Sequence, residues 1–277
     1  MGTEQIIVQI NPDTPPTGSD LSIVNAARRS FGKRSEWDYE VETYYEPGSG
    51  GPIETSVNYN KPKLKAKDKR LLEFLARGMT ADDFEDFILE FQVEIGYLEK
   101  KELTELLWQW RNTPTHDTPF NHGFFSFEVK APIFVRAQLV KHEYLIMSEF
   151  SRRYITDDVE FYEPDYWRKA APDKKQGSLE EDSEVDVSIW QQYGYQLDNY
   201  HELIHYGVAP EQARMVLPQS LMTAWTWSGT LGAFANMCKL RIHPEAQYES
   251  RLVAEKVYEE LKKQFPVSAP LLVEGVY

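Results

Sequence analysis

Between Gln138 and Tyr154 the chain reads QLVKHEYLIMSEFSRRY, which gathers Gln138, Lys141, His142, Glu143, Ser148, Glu149, Ser151, Arg152 and Arg153 into one short stretch. Side chains of these types bind anions, carry protons and pair with the amide edges of heterocycles. They are interleaved with Leu139, Val140, Leu145, Ile146, Met147 and Phe150, so the sequence predicts a largely buried segment. Buried polar groups need partners, and a ligand that supplies some of them is one reading of so dense a cluster. A solvated charged helix face is the other. Arg153 and the more distant Arg214 offer planar forks suited to phosphate, although a surface ion pair explains either one taken alone.

Other chemistries find less support. His116, His122 and His142 are separated by six and twenty residues, spacings that fit no compact metal-ligand motif, and no metal site is expected. Neither a GxGxxG turn nor a phosphate-binding glycine loop occurs. Cys238 is the one cysteine, so an intrachain disulfide and a thiolate zinc site are excluded. It lies in the apolar run GAFANMCKL and reads as a small core residue, without the electropositive setting that a nucleophile requires.

The elements that must position these groups follow from periodicity. A β-branched run, Gln5 to Ile10, predicts an opening strand, and Leu21 to Ser30 a helix behind the capping candidates Ser19 and Asp20. From Gly32 to Lys65 no period is evident and Pro and Gly recur, so a long loop or insertion is expected. Lys67 to Gly78 reads as a helix with Leu71, Leu72 and Leu75 at core spacing, and Asp82 to Trp110 as one or two more. Alternation in GFFSFEVK, residues 123–130, predicts a half-buried strand, and Pro132 suits the first turn of a helix running on through Lys141. Tyr166 to Glu184 is charged and expected at the surface. Three further helices are expected over Val185 to Tyr206, Leu231 to Leu240 and Glu245 to Phe265, the last with Val253, Val257, Leu261 and Phe265 on one stripe. The pattern is helix-rich α+β.

An apolar share of 42% over 277 residues supports a real core. The net charge of −14 argues against non-specific nucleic-acid binding, yet leaves room for a phosphorylated small substrate held by local arginines. The opening MGTEQIIVQINPDT has neither a basic start nor a signal-like apolar run, and no stretch approaches a membrane span. A soluble, cytoplasmic protein without membrane contact is expected.

Several blocks, in order, resemble the flavin-dependent thymidylate synthases. That family carries a signature R-H-R, two or three variable residues, S-x-N-E-x-S-x-R-Y. Here Lys141-His142-Glu143, Ile146, Ser148-Glu149, Ser151 and Arg153-Tyr154 occupy it. HDTPFNHGFFSFEVKAPIFVRAQLV upstream, EQARMVLPQSLMTAWTW and LGAFANMCKLRIHPEAQYE downstream, and NAARRSFG near the start match further family blocks. The likeness is collinear from about residue 22 to 265, with 33–65, 79–111 and 164–200 read as insertions within a single domain spanning 1–277.

The resemblance implies a homotetramer of α+β fold around a central antiparallel or mixed sheet, with sites where subunits meet. It implies FAD, NADPH and methylenetetrahydrofolate as cofactors and dUMP as the substrate, methylated at C5 to dTMP without a cysteine nucleophile. Carried over by position, Arg241 and His116 would be catalytic. Gln138, Lys141, Glu149, Phe150, Ser151, Arg152, Arg153, Arg214 and Arg241 would hold the nucleotide. Ser30, His116, Thr118, Lys141, His142, Glu143, Glu149, Thr230 and Asn236 would line the flavin. Lys141 and Glu143 stand where the signature has arginines, Ile146 and Ser148 where it has Ser and Asn, and Thr230 and Gly232 where an Asn and an Arg help to hold the flavin. Two alternatives stay open. One is a related enzyme that methylates or hydroxymethylates dUMP or dCMP; the other is a nucleotide-binding relative without catalysis.

Overall fold

The computed structural model describes residues 2–48, 51–78, 83, 86–89, 101–102, 115–151, 153, 159–172, 177–185 and 188–274. Arg152, Tyr154 and most of the helical region expected over 82–110 lie outside them. In chain order the elements begin with a single turn α1 (Gly2–Gln5), β1 (Ile7–Ile10), α2 (Asp20–Arg28), β2 (Asp38–Gly48), β3 (Gly51–Lys63) and α3 (Ala66–Arg77). They continue with β4 (Phe124–Pro132), α4 (Ile133–Leu139), β5 (Leu145–Glu149), β6 (Arg168–Ala170), β7 (Ser178–Asp182), α5 (Trp190–His205) and the short α6 (Pro210–Ala213). β8 (Met222–Thr230), α7 (Leu231–Arg241), α8 (Tyr248–Gln264) and α9 (Ser268–Val273) complete the series.

Two compact units result, each built from two chain segments: residues 1–17 with 124–263, and residues 18–123 with 264–277. The first unit holds a four-stranded sheet in the order β1-β4-β8-β5, every pair antiparallel. The alternation foreseen in β4 is its organising feature. Phe125, Phe127 and Val129 point to one face with Trp225 and Trp227 of β8, and all five are buried. Phe234 of α7 meets Phe127 and Trp227 edge-on at 5.0 and 5.3 Å between ring centroids. Such ring contacts add about 1 kcal/mol each to area burial, so they fix how the helix lies on the sheet. On the opposite face the hydroxyls of Ser126 and Ser228 meet at 2.9 Å. Along α8, Val253, Val257 and Leu261 are fully buried, as the stripe predicts.

In the second unit α2 starts with a capping box: Ser19 and Ser22 each accept the other's backbone N–H through their hydroxyls. Asp20, only 2% exposed, accepts from the backbone N–H groups of Val267 and Ser268 at 2.9 and 2.8 Å and from the Ser268 hydroxyl at 2.5 Å. It thereby satisfies the start of α9, while burial pushes its carboxyl above the ordinary carboxylate range. Leu72 and Leu75 of α3 are buried, and Gly78 closes that helix in the left-handed region at φ 73°, where only glycine sits without strain.

Three expectations need correction. The segment 33–65 is largely an antiparallel hairpin, β2 against β3, rather than a loop. Its register shifts between Glu40 and Glu42 and again between Tyr44 and Tyr45, and these bulges erase the period-two signal that identifies a strand. The opening strand starts at Ile7, behind the turn Gly2–Gln5. The helix after Pro132 stops at Leu139, and the stretch that follows is not buried: Val140, Tyr144 and Ile146 are 44, 83 and 71% exposed. β5 is the sheet edge, so only Leu145 and Met147 gain partial cover, and the chain enters it through Tyr144 at φ 63°.

Candidate functional site

Within the first unit a cleft of about 640 Å³ is lined by Gln138, Lys141, Arg168, Gly177, Ser178, Arg241 and Gln247. Helix ends create it: α4 delivers Gln138 on its last turn, the loop after α4 delivers Lys141, and Arg241 closes α7. Arg241 does not stand alone. Its Nε donates to Nε2 of His142 at 2.9 Å. An imidazole that accepts there is neutral and carries its proton on Nδ1. Burial and then the Arg241 charge lower the His142 pKa from 6.5 to about 4, so the acceptor persists at neutral pH. Burial also lowers the Arg241 pKa. Tying down Nε leaves the two terminal guanidinium nitrogens, which carry four of the five N–H groups, for another partner. The result is a fixed, partly desolvated cation on the cleft wall.

The hairpin β6–β7 contributes Arg168 and Ser178 to the cleft lining. Arg168 donates from Nε to the Ser178 hydroxyl at 2.8 Å, pairs through Nη2 with Glu249 at 2.5 Å and lies over the Tyr248 ring at 4.2 Å. Arg251 pairs with Glu180 at 3.2 Å. The charged segment expected at the surface is therefore pinned to α8 through Arg168, whose side chain is only 13% exposed. Arg168 did not stand out in the sequence as a site residue, whereas Gln247 lies in the family block LGAFANMCKLRIHPEAQYE without an assigned role. An arginine within WRKAAPDKK carries no local signal, since its partner Glu249 lies 81 residues away.

The other expected nucleotide residues fall at different places in the same unit. Arg153 pairs with Glu211 at 3.6 Å, and Arg214 donates from Nε to the Glu211 backbone carbonyl at 3.3 Å, so these two meet at α6. Both are exposed, and an exposed ion pair contributes only about 0–1 kcal/mol. Glu149 accepts from Arg136 at 2.6 Å and from the Thr223 hydroxyl at 3.1 Å. Phe150 continues past the strand, its N–H bonded to Ala224 O at 2.8 Å, and the Ser151 hydroxyl accepts from Arg153 N at 3.4 Å. Thr230 caps α7 by accepting from Ala233 N at 3.2 Å, whereas Asn236 and Glu143 are exposed.

Of the expected flavin residues, Ser30, His116 and Thr118 come together in a second cleft, of about 800 Å³, inside the second unit. Leu71, Phe74 and Phe31 supply an apolar wall, and Arg28, Lys33, Lys67 and Arg70 supply positive charge. Leu71, expected in the core with Leu72 and Leu75, faces this cleft. Arg28 is held by Asp68 at 2.6 Å. A flat apolar ring joined to a diphosphate fits such a lining, since rings favour the hydrocarbon wall and phosphates the cations. His142 and Lys141, also expected at the flavin, stand at the first cleft.

Cys238 is fully buried, donates to Ala254 O at 3.5 Å, and has its thiol pushed up by burial, so it supplies no thiolate. Among the described residues no helix is long and apolar enough to cross a membrane.

A family model described as thymidylate synthase complementing protein matches residues 14–267. A flavin-dependent thymidylate synthase of Thermus thermophilus is 40% identical over 157 residues, covering 55% of this chain and 57% of that protein. The one from Aquifex aeolicus is 38% identical over 204 residues, covering 72 and 64%. The chain thus spans under two thirds of the length of these relatives. The crystal structure of a UMP/dUMP methylase PolB from Streptomyces cacaoi, bound with 5-Br dUMP, superposes with a TM-score of 0.62 at 24% identity, over 95% of this chain and 93% of that one. At that identity the likeness concerns the fold.

Proposed function

The chain belongs to the flavin-dependent thymidylate synthase family, and from that membership we propose that it transfers a one-carbon unit from methylenetetrahydrofolate to C5 of dUMP, using FAD and NADPH, to give dTMP. The observation that carries this reading is the Arg241 guanidinium, held by neutral His142 on the wall of a polar cleft. C5 of a pyrimidine becomes nucleophilic as negative charge develops on the ring. A fixed cation in a partly dry site stabilises that charge without reorganising as it forms. With the lone thiol buried and protonated, activation by a thiolate adding to the ring is not available, and electrostatics must carry the step.

In this reading Gln138, Lys141 and Arg241 orient the base, and Arg153 and Arg214, with Ser151, hold the phosphate. Ser30, His116 and Thr118 hold the flavin, with Lys67 and Arg70 toward its diphosphate. FAD bound there, once reduced by NADPH, would supply the hydride that completes the methyl group. The chain assembles as a homotetramer in which neighbouring copies complete each site.

The test is release of the C5 hydrogen. With dUMP tritiated at C5, label enters water only when folate, NADPH and FAD are all present, and Arg241→Ala cuts release far more than it weakens nucleotide binding. Protein that takes up FAD and dUMP yet keeps the label on the base overturns the reading.

A further inference from the structure

Behind the Gln138 cleft lies a hydrogen-bond chain with a fixed direction. Glu249 is 4% exposed. Its Oε1 receives Arg168 Nη2 at 2.5 Å, with the Tyr162 hydroxyl also directed at it from 3.5 Å. Its Oε2 receives Gln247 Nε2 at 3.2 Å. An ionised carboxylate only accepts, so Gln247 must present its amide nitrogen to Glu249 and turn its oxygen the other way. That oxygen receives Gln138 Nε2, and Gln138 Oε1 in turn receives the Ser250 hydroxyl at 3.2 Å. A glutamine amide has two nearly isosteric orientations, and in this chain the anchoring carboxylate decides between them for both residues. Each amide keeps a second N–H after its contact in the chain, and Gln138 and Gln247 both line the cleft.

We propose that Glu249, clamped by Arg168, is a positioning residue that sets the polarity of the Gln247–Gln138 relay, so that the cleft presents amide N–H donors to acceptor oxygens of its ligand. Arg168 belongs to β6, in a segment that reads as an insertion, and it couples that hairpin to the orientation of a side chain two hydrogen-bonded residues away. Neutralising Glu249 frees Gln247 to invert, which turns the carbonyl of Gln138 toward the ligand. Acceptor then meets acceptor, and binding weakens. The proposal rests on reading this cleft as the nucleotide site.

The experiment measures equilibrium binding of dUMP and deoxyuridine to the full chain, with melting temperature and the bound fraction at saturation recorded for every variant. Glu249→Gln is expected to weaken dUMP binding about tenfold at unchanged saturation, the scale of one reversed hydrogen bond. Removal of one partner from a buried ion pair threatens folding. Gln247→Leu therefore provides a second variant, which keeps the Arg168–Glu249 pair and is expected to show the same loss. A loss confined to dUMP assigns the donors to the phosphate, and a loss for both ligands assigns them to the base; either supports the proposal. Unchanged affinity in Gln247→Leu, or a fall in saturation and melting temperature without weaker binding in both variants, overturns it. Failure of the unaltered chain to bind dUMP is a separate result, which sinks the nucleotide reading itself.

Discussion

Replacing Arg241 by methionine is a sharp probe of the cation on the cleft wall, because His142 reports on it directly. The two side chains share one hydrogen bond of 2.9 Å, and His142 titrates at about 4 instead of 6.5. At pH 7 about one molecule in a thousand then carries a protonated His142, against roughly one in four for an unperturbed histidine. Burial is the larger cause of the shift and the Arg241 charge the smaller. Halfway between the two values is about 5, so in Arg241→Met the histidine is expected to titrate above 4 but no higher than about 5. The assay is a titration of selectively 13C-histidine-labelled protein by NMR; only six histidines are present, and His142→Asn identifies the resonance. The unfolded histidine takes up a proton that the folded one refuses, so the stability supplied by neutral His142 is complete above about 6.5 and is lost as pH falls through about 4. A His142 that titrates near 6.5 in the unaltered chain, or that does not move in Arg241→Met, refutes the pairing.

Arg214→Ala is expected to raise the nucleotide KM with little change in melting temperature, since its structural contact is one exposed bond to Glu211 O; steady-state kinetics showing an unchanged KM would remove it from the phosphate site. Asp20→Ala strands the buried N–H groups of Val267 and Ser268 and is expected to cost about 2–4 kcal/mol in urea unfolding; a loss under about 0.5 kcal/mol would contradict that role. Gly123→Ala places a methyl carbon 2.5 Å from the Phe265 ring, whose residue is fully buried, and overpacking of this kind costs roughly 1–3 kcal/mol. A melting temperature equal to that of the unaltered chain would show that the ring moves aside freely.

Local pattern carried much of the fold. The β4 alternation, the α8 stripe and the Ser19 cap are each settled by residues within a turn or two of one another, so the sequence holds them completely. What escaped depends on distant partners. The β2–β3 ladder is interrupted by bulges, and its strands are recognised by pairing rather than by period. Exposure of Ile146 follows from β5 being the last strand of the sheet, a fact of topology that no window around Ile146 contains. The site divides in the same way. Gln138, Lys141 and Arg241 were legible through the family blocks and share one cleft, as Ser30, His116 and Thr118 share another. Glu249 falls in a family block, but its pairing with Arg168 spans 81 residues and no signal near Arg168 announces it.

The product formed from dUMP is the most direct measure of the proposed activity. Supplied with FAD, NADPH and methylenetetrahydrofolate, the protein is predicted to convert dUMP into a species heavier by one methylene group, identified by mass spectrometry as dTMP. Unconverted dUMP in the presence of folded, flavin-loaded protein would contradict it.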